Sequence, residues 1–283
     1  MSFILLIAAL SACSAGTWEK RAEGVSETEN LKVELVENSC VLNTLVLKFK
    51  VTAKKLDSLM IEDEPLAEHF SRYVFGTDVF TVDMGFGKCT GISRDIYSDE
   101  DSSLEPNQFY VYKLFVDDDE ITSGDYFFRF SGFGSYTKEN EGKIKVLYDD
   151  VLDVPVKITN DADSGRNFEP DIKYNIGGEE FLLSRAMVTP YAIMLNFSGE
   201  SNNANTDKFN LEELRVNLQD KTVLIPTVNP EERKDLDVAL ISSVMIGKEW
   251  EGSLALMFYD AVDIDSIAGI TVGGNLIELG AKS

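Results

Sequence analysis

Residues 45–52 read LVLKFKVT, and this stretch decides the fold class. Its odd-numbered residues are all apolar, whereas three of its four even-numbered residues are polar. Because successive side chains of a β-strand point to opposite faces, a period of two indicates one buried face and one wet face. The stretch therefore predicts a strand at the surface of a packed sheet.

The same period recurs along most of the chain from Leu31 onward. It is clear in YFFRF (126–130), LDVPVKI (152–158), YAIMLNF (191–197) and SLALMFYD (253–260). Clusters of turn-forming residues separate these runs, for example SDEDSSLEPN (98–107). Strands spaced by such turns predict an all-β fold of antiparallel sandwiches.

One segment departs from this pattern. In IEDEPLAEHFSRYVF (61–75), Pro65 follows acidic residues, and Leu66, Phe70 and Tyr73 stand at helical spacing. We therefore expect one short helix in the first half of the chain. His69, the one histidine of the chain, falls in this segment, and a lone histidine is better explained as a surface or half-buried residue than as a ligand.

A polar stretch divides the strands into two sets. TNDADSGRNFEP (159–170) contains almost no apolar residues and is interpreted as a linker. The flanking domains would then cover residues 31–158 and 171–283, each of ordinary domain size. The sequence predicts two immunoglobulin-like antiparallel β-sandwich domains in tandem.

The chain begins MSFILLIAALSAC, a short apolar run followed by small residues and a cysteine. The run from Phe3 to Leu10 is far shorter than the roughly 20 residues of a membrane-spanning helix. Leu10-Ser11-Ala12-Cys13 resembles the lipobox of bacterial lipoproteins. The resemblance implies a signal peptide over residues 1–12, a lipid on Cys13 that fixes the protein to the membrane, and a polar tether over residues 13–30.

Two features depart from the usual lipoprotein leader. No Lys or Arg precedes the apolar run, and the leader is short; a start site chosen too far downstream would explain both. The alternatives are a plain secretory signal and a buried N-terminal strand.

The charge balance limits the possible partners. The chain has 26 Lys and Arg against 49 Asp and Glu, a net charge of −23. Because nucleic-acid binding depends on basic residues that neutralise phosphates, no nucleic-acid partner is expected. An anionic membrane surface would also repel the folded part, so attachment to the membrane depends on the lipid.

The remaining cysteines are Cys40 and Cys89. In an oxidising exterior they form a possible disulfide, and the alternative is two unpaired thiols. With no CxxC and a single histidine, the sequence excludes a Cys/His zinc site.

The motifs of catalysis are missing from the sequence. A nucleophile beside a histidine base, or a G-x-S-x-G turn, is not found. Acidic pairs are so numerous that they single out no glycosidase site. We therefore predict no catalytic residue and no cofactor.

Two weak binding candidates remain. Asp161, Asp163 and Asn167 alternate like the oxygen ligands of a calcium loop, although Gly165 and Arg166 depart from that pattern; the alternative is a solvated acidic loop. Trp250, just before a strand, is a possible glycan contact, and the alternative is packing over the edge of the core.

Three stretches carry a wider resemblance. They are NLKVELVENSCVLNTLVLKFKVTAKKLD (30–57), DYFFRFSGFG (125–134) and DIDSIAGITVGGNLIEL (263–279). These resemble the uncharacterised extracytoplasmic β-rich domains of Gram-positive bacteria, which are found on anti-sigma-like and other envelope proteins. The shared features are turns and strands, so the resemblance implies an architecture and not a chemistry.

The expected function follows from the anchor and the strands. We predict a non-enzymatic, lipid-anchored envelope protein on the extracytoplasmic face of the cell membrane, presenting sandwich surfaces to a protein or a cell-wall polymer. The first alternative is a carbohydrate- or calcium-binding module, and the second is an extracytoplasmic hydrolase.

Overall fold

The computed structural model describes fourteen ranges of the chain: 24–56, 60–61, 64–65, 73–76, 92–98, 104–117, 119–136, 144–176, 179–200, 214–225, 236–246, 249–258, 261–272 and 274–279. Within them the chain is nearly all β, and the helical elements are two single turns of 3-10 helix, Ala162–Ser164 and Ile264–Ser266. The all-β prediction is confirmed. No helix of these ranges has the length and apolar character needed to cross a membrane.

The first half of the chain forms two facing antiparallel sheets and a small ribbon. Sheet 1 has the order β1-β2-β3-β8-β7, sheet 2 has the order β10-β9-β6, and β4 pairs with β5. The strands are β1 (Val25–Glu27), β2 (Leu31–Val41), β3 (Thr44–Ala53), β4 (Met60–Ile61), β5 (Glu64–Pro65), β6 (Tyr73–Gly76), β7 (Ile92–Ser98), β8 (Gln108–Val116), β9 (Gly124–Tyr136) and β10 (Ile144–Ile158).

The alternation of β3 is confirmed by burial. Leu45, Leu47, Phe49 and Val51 are each at most 1% exposed, so they belong to a core between sheets 1 and 2. In that core the ring of Phe49 lies edge-on to Phe130, with centroids 4.9 Å apart. Aromatic pairs of this geometry add stability beyond the apolar area that they bury.

The second half forms two further antiparallel sheets. Sheet 3 has the order β11-β13-β14-β18-β17, with β12 also on β13, and sheet 4 has the order β16-β15-β19-β20. The strands are β11 (Arg166–Phe168), β12 (Ile172–Ile176), β13 (Glu179–Val188), β14 (Ala192–Glu200), β15 (Arg215–Leu218), β16 (Val223–Leu224), β17 (Leu236–Ile246), β18 (Glu249–Phe258), β19 (Ile267–Val272) and β20 (Asn275–Glu278). A separate apolar core lies between sheets 3 and 4.

Both halves repeat one strand order. In the first half β2, β3, β8 and β7 are neighbours in one sheet, and β6, β9 and β10 are neighbours in the other. In the second half β13, β14, β18 and β17 take the places of the first set, and β15, β19 and β20 those of the second. Each half also has at least one short strand added beside its first long strand, namely β1 on β2, and β11 and β12 on β13.

The predicted short helix is wrong at the two positions where it can be checked. Pro65 lies in β5 and Tyr73 lies in β6. Tyr73-Val74-Phe75 combines aromatic and β-branched residues, which favour a strand over a helix. Proline is tolerated in a short strand where its missing N–H costs no ladder bond. Residues 66–72, including His69, lie outside the described ranges.

Candidate functional site at the junction of the two halves

A third apolar cluster joins the two halves, and we call it the junction. It contains Val41, Leu42, Leu114 and Val116 from the first half, and Met187, Ala192, Met194, Ala255 and Met257 from the second. Each of these side chains is 6% exposed or less. Their sequence neighbours, such as Phe115 and Leu195, point into the two sandwich cores. The junction therefore lies between the outer faces of sheets 1 and 3.

Buried polar groups cross the junction. The hydroxyl of Thr189 lies 3.1 Å from that of Thr44, and it accepts a hydrogen bond of 3.0 Å from the amide of Ala192. Asn43 Nδ2 donates to the carbonyl of Asp117 at 2.7 Å and lies 3.5 Å from the sulfur of Met194. Buried polar groups are costly unless they are paired, so this set favours one relative position of the two halves.

The segment between the halves is fixed at its beginning to the first half. Asn160 forms an isolated parallel bridge with Cys40, and the next amide, that of Asp161, donates to the carbonyl of Cys40 at 2.8 Å. The side-chain amide of Asn160 donates to the carbonyls of Leu42 at 2.7 Å and Ile121 at 2.6 Å. These bonds hold the start of the predicted linker against sheet 1.

The end of the same segment is fixed to the second half. Arg166 begins β11 and is 7% exposed. Its guanidinium donates to the carbonyl of Leu279 at 3.3 Å and to the carboxylate of Asp265 at 2.6 Å. The predicted linker over residues 159–170 thus includes a strand and a buried cation, while the division into domains stays a prediction.

Four polar side chains, which we call the rim cluster, contact each other across the solvent edge of the junction. Arg185 of the second half lies 3.6 Å from Asp119 and 3.4 Å from Glu120 of the first. Asn167 donates to Glu120 at 2.8 Å and accepts from Arg185 at 3.2 Å. Because exposed ion pairs contribute at most about 1 kcal/mol, the rim cluster stabilises the junction less than the apolar contacts do.

Tyrosines and one lysine occupy the outer face of sheet 1 beside the junction. The ammonium of Lys48 lies 4.0 Å from the ring centroid of Tyr110 and 5.0 Å from that of Tyr112, which are cation–π distances. Desolvation lowers the pKa of Lys48, but a hydrogen bond with Tyr112, the charges of Tyr112 and Tyr110, and last that of Glu37 together outweigh it and raise the pKa. Burial, and then the same Glu37, raise the pKa of Tyr191 from the second half. Tyr191 also packs against the junction. We call the surface formed by Lys48, Tyr110 and Tyr112, with Tyr191 at the junction, the tyrosine face.

The calcium candidates make other contacts. Asp161 and Asp163 are exposed, and the carboxylate of Asp161 accepts a hydrogen bond from Ser164. The side-chain oxygen of Asn167 already accepts from Arg185. In the described ranges no group of three or more His, Cys, Asp or Glu side chains is arranged to hold a metal ion. Calcium binding stays a prediction.

The other predicted site residues are only partly within the described ranges. Cys40 is buried and forms no disulfide with another described residue, and desolvation raises the pKa of its thiol to about 12. Cys13 and Cys89 lie outside the described residues, so the lipid and the disulfide stay predictions. Trp250 lies in β18, where its backbone pairs with Gly199 and Met245, and its glycan contact stays a prediction.

The sequence interpretation missed the junction, although a signal for it was present. Residues 192–195 read AIML and residues 254–258 read LALMF, so β14 and β18 are apolar on both faces. A strand that is apolar on both faces is buried on both. One face packs in the core of the second sandwich, and the other packs against the first half.

Comparisons with known proteins give one distant structural neighbour. No family model matches the chain. A search of curated proteins also finds no match. Among solved structures, the fold is similar to one described as the crystal structure of the conserved domain protein from Bacillus anthracis, with 9% sequence identity and a TM-score of 0.46. The similarity covers 87% of this chain and 73% of that one.

Proposed function

We propose that this chain is a non-enzymatic protein of the bacterial cell envelope, held by a lipid on Cys13 at the extracytoplasmic face of the membrane. Its two immunoglobulin-like sandwiches present a joint surface to a protein or a cell-wall polymer. The observation that carries the proposal is the strand order, which both halves repeat and which they keep while packed against each other.

The strand order supports the immunoglobulin-like assignment. In that fold one sheet takes the first, second, fifth and fourth strands, and the other takes the third, sixth and seventh. When β1, β11, β12, the β4–β5 ribbon and the two-residue β16 are set aside, both halves have this arrangement. Two independent occurrences in one chain are better explained by a repeated domain than by coincidence.

A local contact in the first half supports the same assignment. Tyr126, near the start of β9, donates its hydroxyl to the carbonyl of Thr122, four residues upstream, at 2.5 Å. By strand order β9 is the sixth strand of its sandwich. Immunoglobulin folds have a tyrosine at this corner, bonded back to the preceding loop.

The junction favours one binding surface shared by both halves, and argues against two modules that bind separately. Tyr191 of the second half packs against the junction, as does Val46 of the first half, which lies on the same face of β3 as Lys48. A face built from both halves is a larger contact area than either sandwich offers alone, and aromatic residues are enriched in protein interfaces. The net charge of −23 keeps the rest of the surface soluble.

The anchor is tested by expressing the full chain and a Cys13→Ser variant in a Gram-positive host. We expect the first in the membrane fraction with a diacylglyceryl group on Cys13, and the variant in the medium or in the unprocessed form. Mass spectrometry of the N-terminal peptide measures both. Unmodified Cys13 in membrane-free protein would contradict the anchor.

The binding role is tested by photo-crosslinking in intact cells from position 112 on the tyrosine face. Position 173 in β12, which is exposed and belongs to the second half, is the matched control. We expect one envelope component to be captured from position 112 and not from the control. Turnover of a substrate by the purified chain, abolished by a point substitution, would show instead that the protein is an enzyme.

A further inference from the structure

We infer that the junction makes the two sandwiches one cooperative unit, so that the chain is a rigid two-domain spacer and not two domains on a flexible linker. The inference rests on the proposed two-sandwich architecture and is independent of the lipid anchor. It follows from three features of the junction: its apolar faces, its buried hydroxyls and the connecting segment.

The apolar faces require each other. Met187, Ala192, Met194 and Ala255 are 0–1% exposed, although they lie on the face of sheet 3 that points away from its own core. In a separated second half these side chains would face water, and the first half would likewise expose Leu42. Contiguous apolar patches of this kind are unusual on free domains, so separation is strongly disfavoured.

The buried hydroxyls fix the relative position. Thr44 and Thr189 come from different halves and are 1% and 0% exposed. Their oxygens are 3.1 Å apart. A shift of one half against the other by one ångström would therefore break this hydrogen bond between the two halves. A satisfied buried polar contact inside an apolar interface selects one arrangement over its neighbours.

The connecting segment passes tightly against the junction. A Cβ at Gly165 would lie 2.5 Å from Leu42 Cδ1 and 3.0 Å from Val41 Cγ1. Gly165 has an extended backbone, with φ of −112°, so a larger residue meets no backbone strain. A side chain at this position therefore pushes on Val41 and Leu42 of the junction without straining its own backbone.

The experiment compares the full chain with Gly165→Val and with Ala162→Val, which adds the same kind of bulk at an exposed position of the same segment. Calorimetry counts the unfolding transitions, and oxidation by hydrogen peroxide, followed by mass spectrometry, measures solvent access to Met187 and Met194, which are both 0% exposed in the junction. We expect a single transition and protected methionines in the unaltered chain and in Ala162→Val. In Gly165→Val we expect two transitions and about tenfold or faster oxidation of both methionines, the order expected of an overpacked site.

Two outcomes would overturn the inference. One is independent unfolding of the two halves in the unaltered chain. The other is a Gly165→Val variant that behaves as Ala162→Val does. If Gly165→Val fails to fold, the near-isosteric Thr189→Val replaces it, and for that variant an unchanged single transition with unchanged oxidation of Met187 and Met194 counts against the inference. A failure of membrane attachment would leave these results as they are, so the two proposals fail separately.

Discussion

Met194 provides a quantitative test of the junction. Its side chain is fully buried in contact with the first half, and truncation to alanine removes everything beyond Cβ. Methionine-to-alanine changes at buried sites cost about 2–5 kcal/mol. Because neighbouring Met187 and Met257 are flexible and can partly fill the space, we expect about 2–3 kcal/mol for Met194→Ala.

The loss of the sulfur contact adds little to this figure. Asn43 keeps its bond to the carbonyl of Asp117 when Met194 is truncated. The free energy of unfolding is measured by equilibrium urea denaturation of the full chain, followed by far-UV circular dichroism. The volume-conserving Met194→Leu is the matched control and is expected to cost less than about 1.5 kcal/mol.

A second control separates the junction from the core. Leu195, the next residue, is fully buried in the core of the second sandwich, so Leu195→Ala is expected to cost about 2–5 kcal/mol whether or not the junction forms. If Met194→Ala costs less than about 0.5 kcal/mol, as surface substitutions do, while Leu195→Ala is strongly destabilising, the outer face of sheet 3 is not covered and the reasoning is refuted.

Three further predictions follow from single contacts. Tyr126→Phe loses the bond to the preceding loop and should lower the free energy of unfolding by about 1 kcal/mol in urea denaturation; an unchanged midpoint would contradict the role given to this corner. Gly269→Ala would set a Cβ 2.6 Å from the carbonyl oxygen of Ile277, so we expect about 1–3 kcal/mol of destabilisation by the same assay, whereas a neutral result would mean that β19 and β20 are less closely packed. The Cys40 thiol, buried and with its pKa raised to about 12, should not be labelled by a thiol reagent at pH 8 until denaturant is added, as mass spectrometry of the Cys40 peptide measures. A Cys40 peptide that stays unlabelled in denaturant until a reductant is added would show instead that Cys40 is bridged.

The sequence predicted the fold class because sandwiches have a direct signal. The alternation in residues 45–52 and 152–158 reflects one buried face per strand, and each such face lies in the first core. The strand order that both halves repeat had no comparable signal, since it depends on pairings between distant strands such as β3 and β8. Periodicity gives the face of a strand but not its neighbour.

At Pro65 and Tyr73, the two named positions that the structure describes, the helix prediction is wrong for a related reason. Apolar residues at Leu66, Phe70 and Tyr73 match a helical spacing, but three positions are too few to outweigh the strand preference of Tyr73 and its neighbours. The structure places Tyr73 in β6, paired with Ser135 of β9. Pairing with an existing sheet decided the conformation, and local spacing carries no information about that sheet.

The candidate site was not predicted because its residues look unremarkable one at a time. Thr44, Asn43 and Thr189 are ordinary polar residues at strand ends, and only the packing of the two halves buries them. The polar composition of residues 159–170 suggested a free linker. Three of its donor groups bond to the carbonyls of Cys40, Leu42 and Leu279, and polar composition cannot distinguish these partners from water.

Nuclear Overhauser effects between methyl groups report directly on whether the two halves pack against each other through the buried junction. The full chain is prepared with labelled Met, Leu and Val methyl groups. We expect cross-peaks from the methyl groups of Met194 and Met257 to those of Leu42 and Val116. Cross-peaks confined to each half, with the two methionine methyl groups at their solvent-exposed shifts, would contradict this packing.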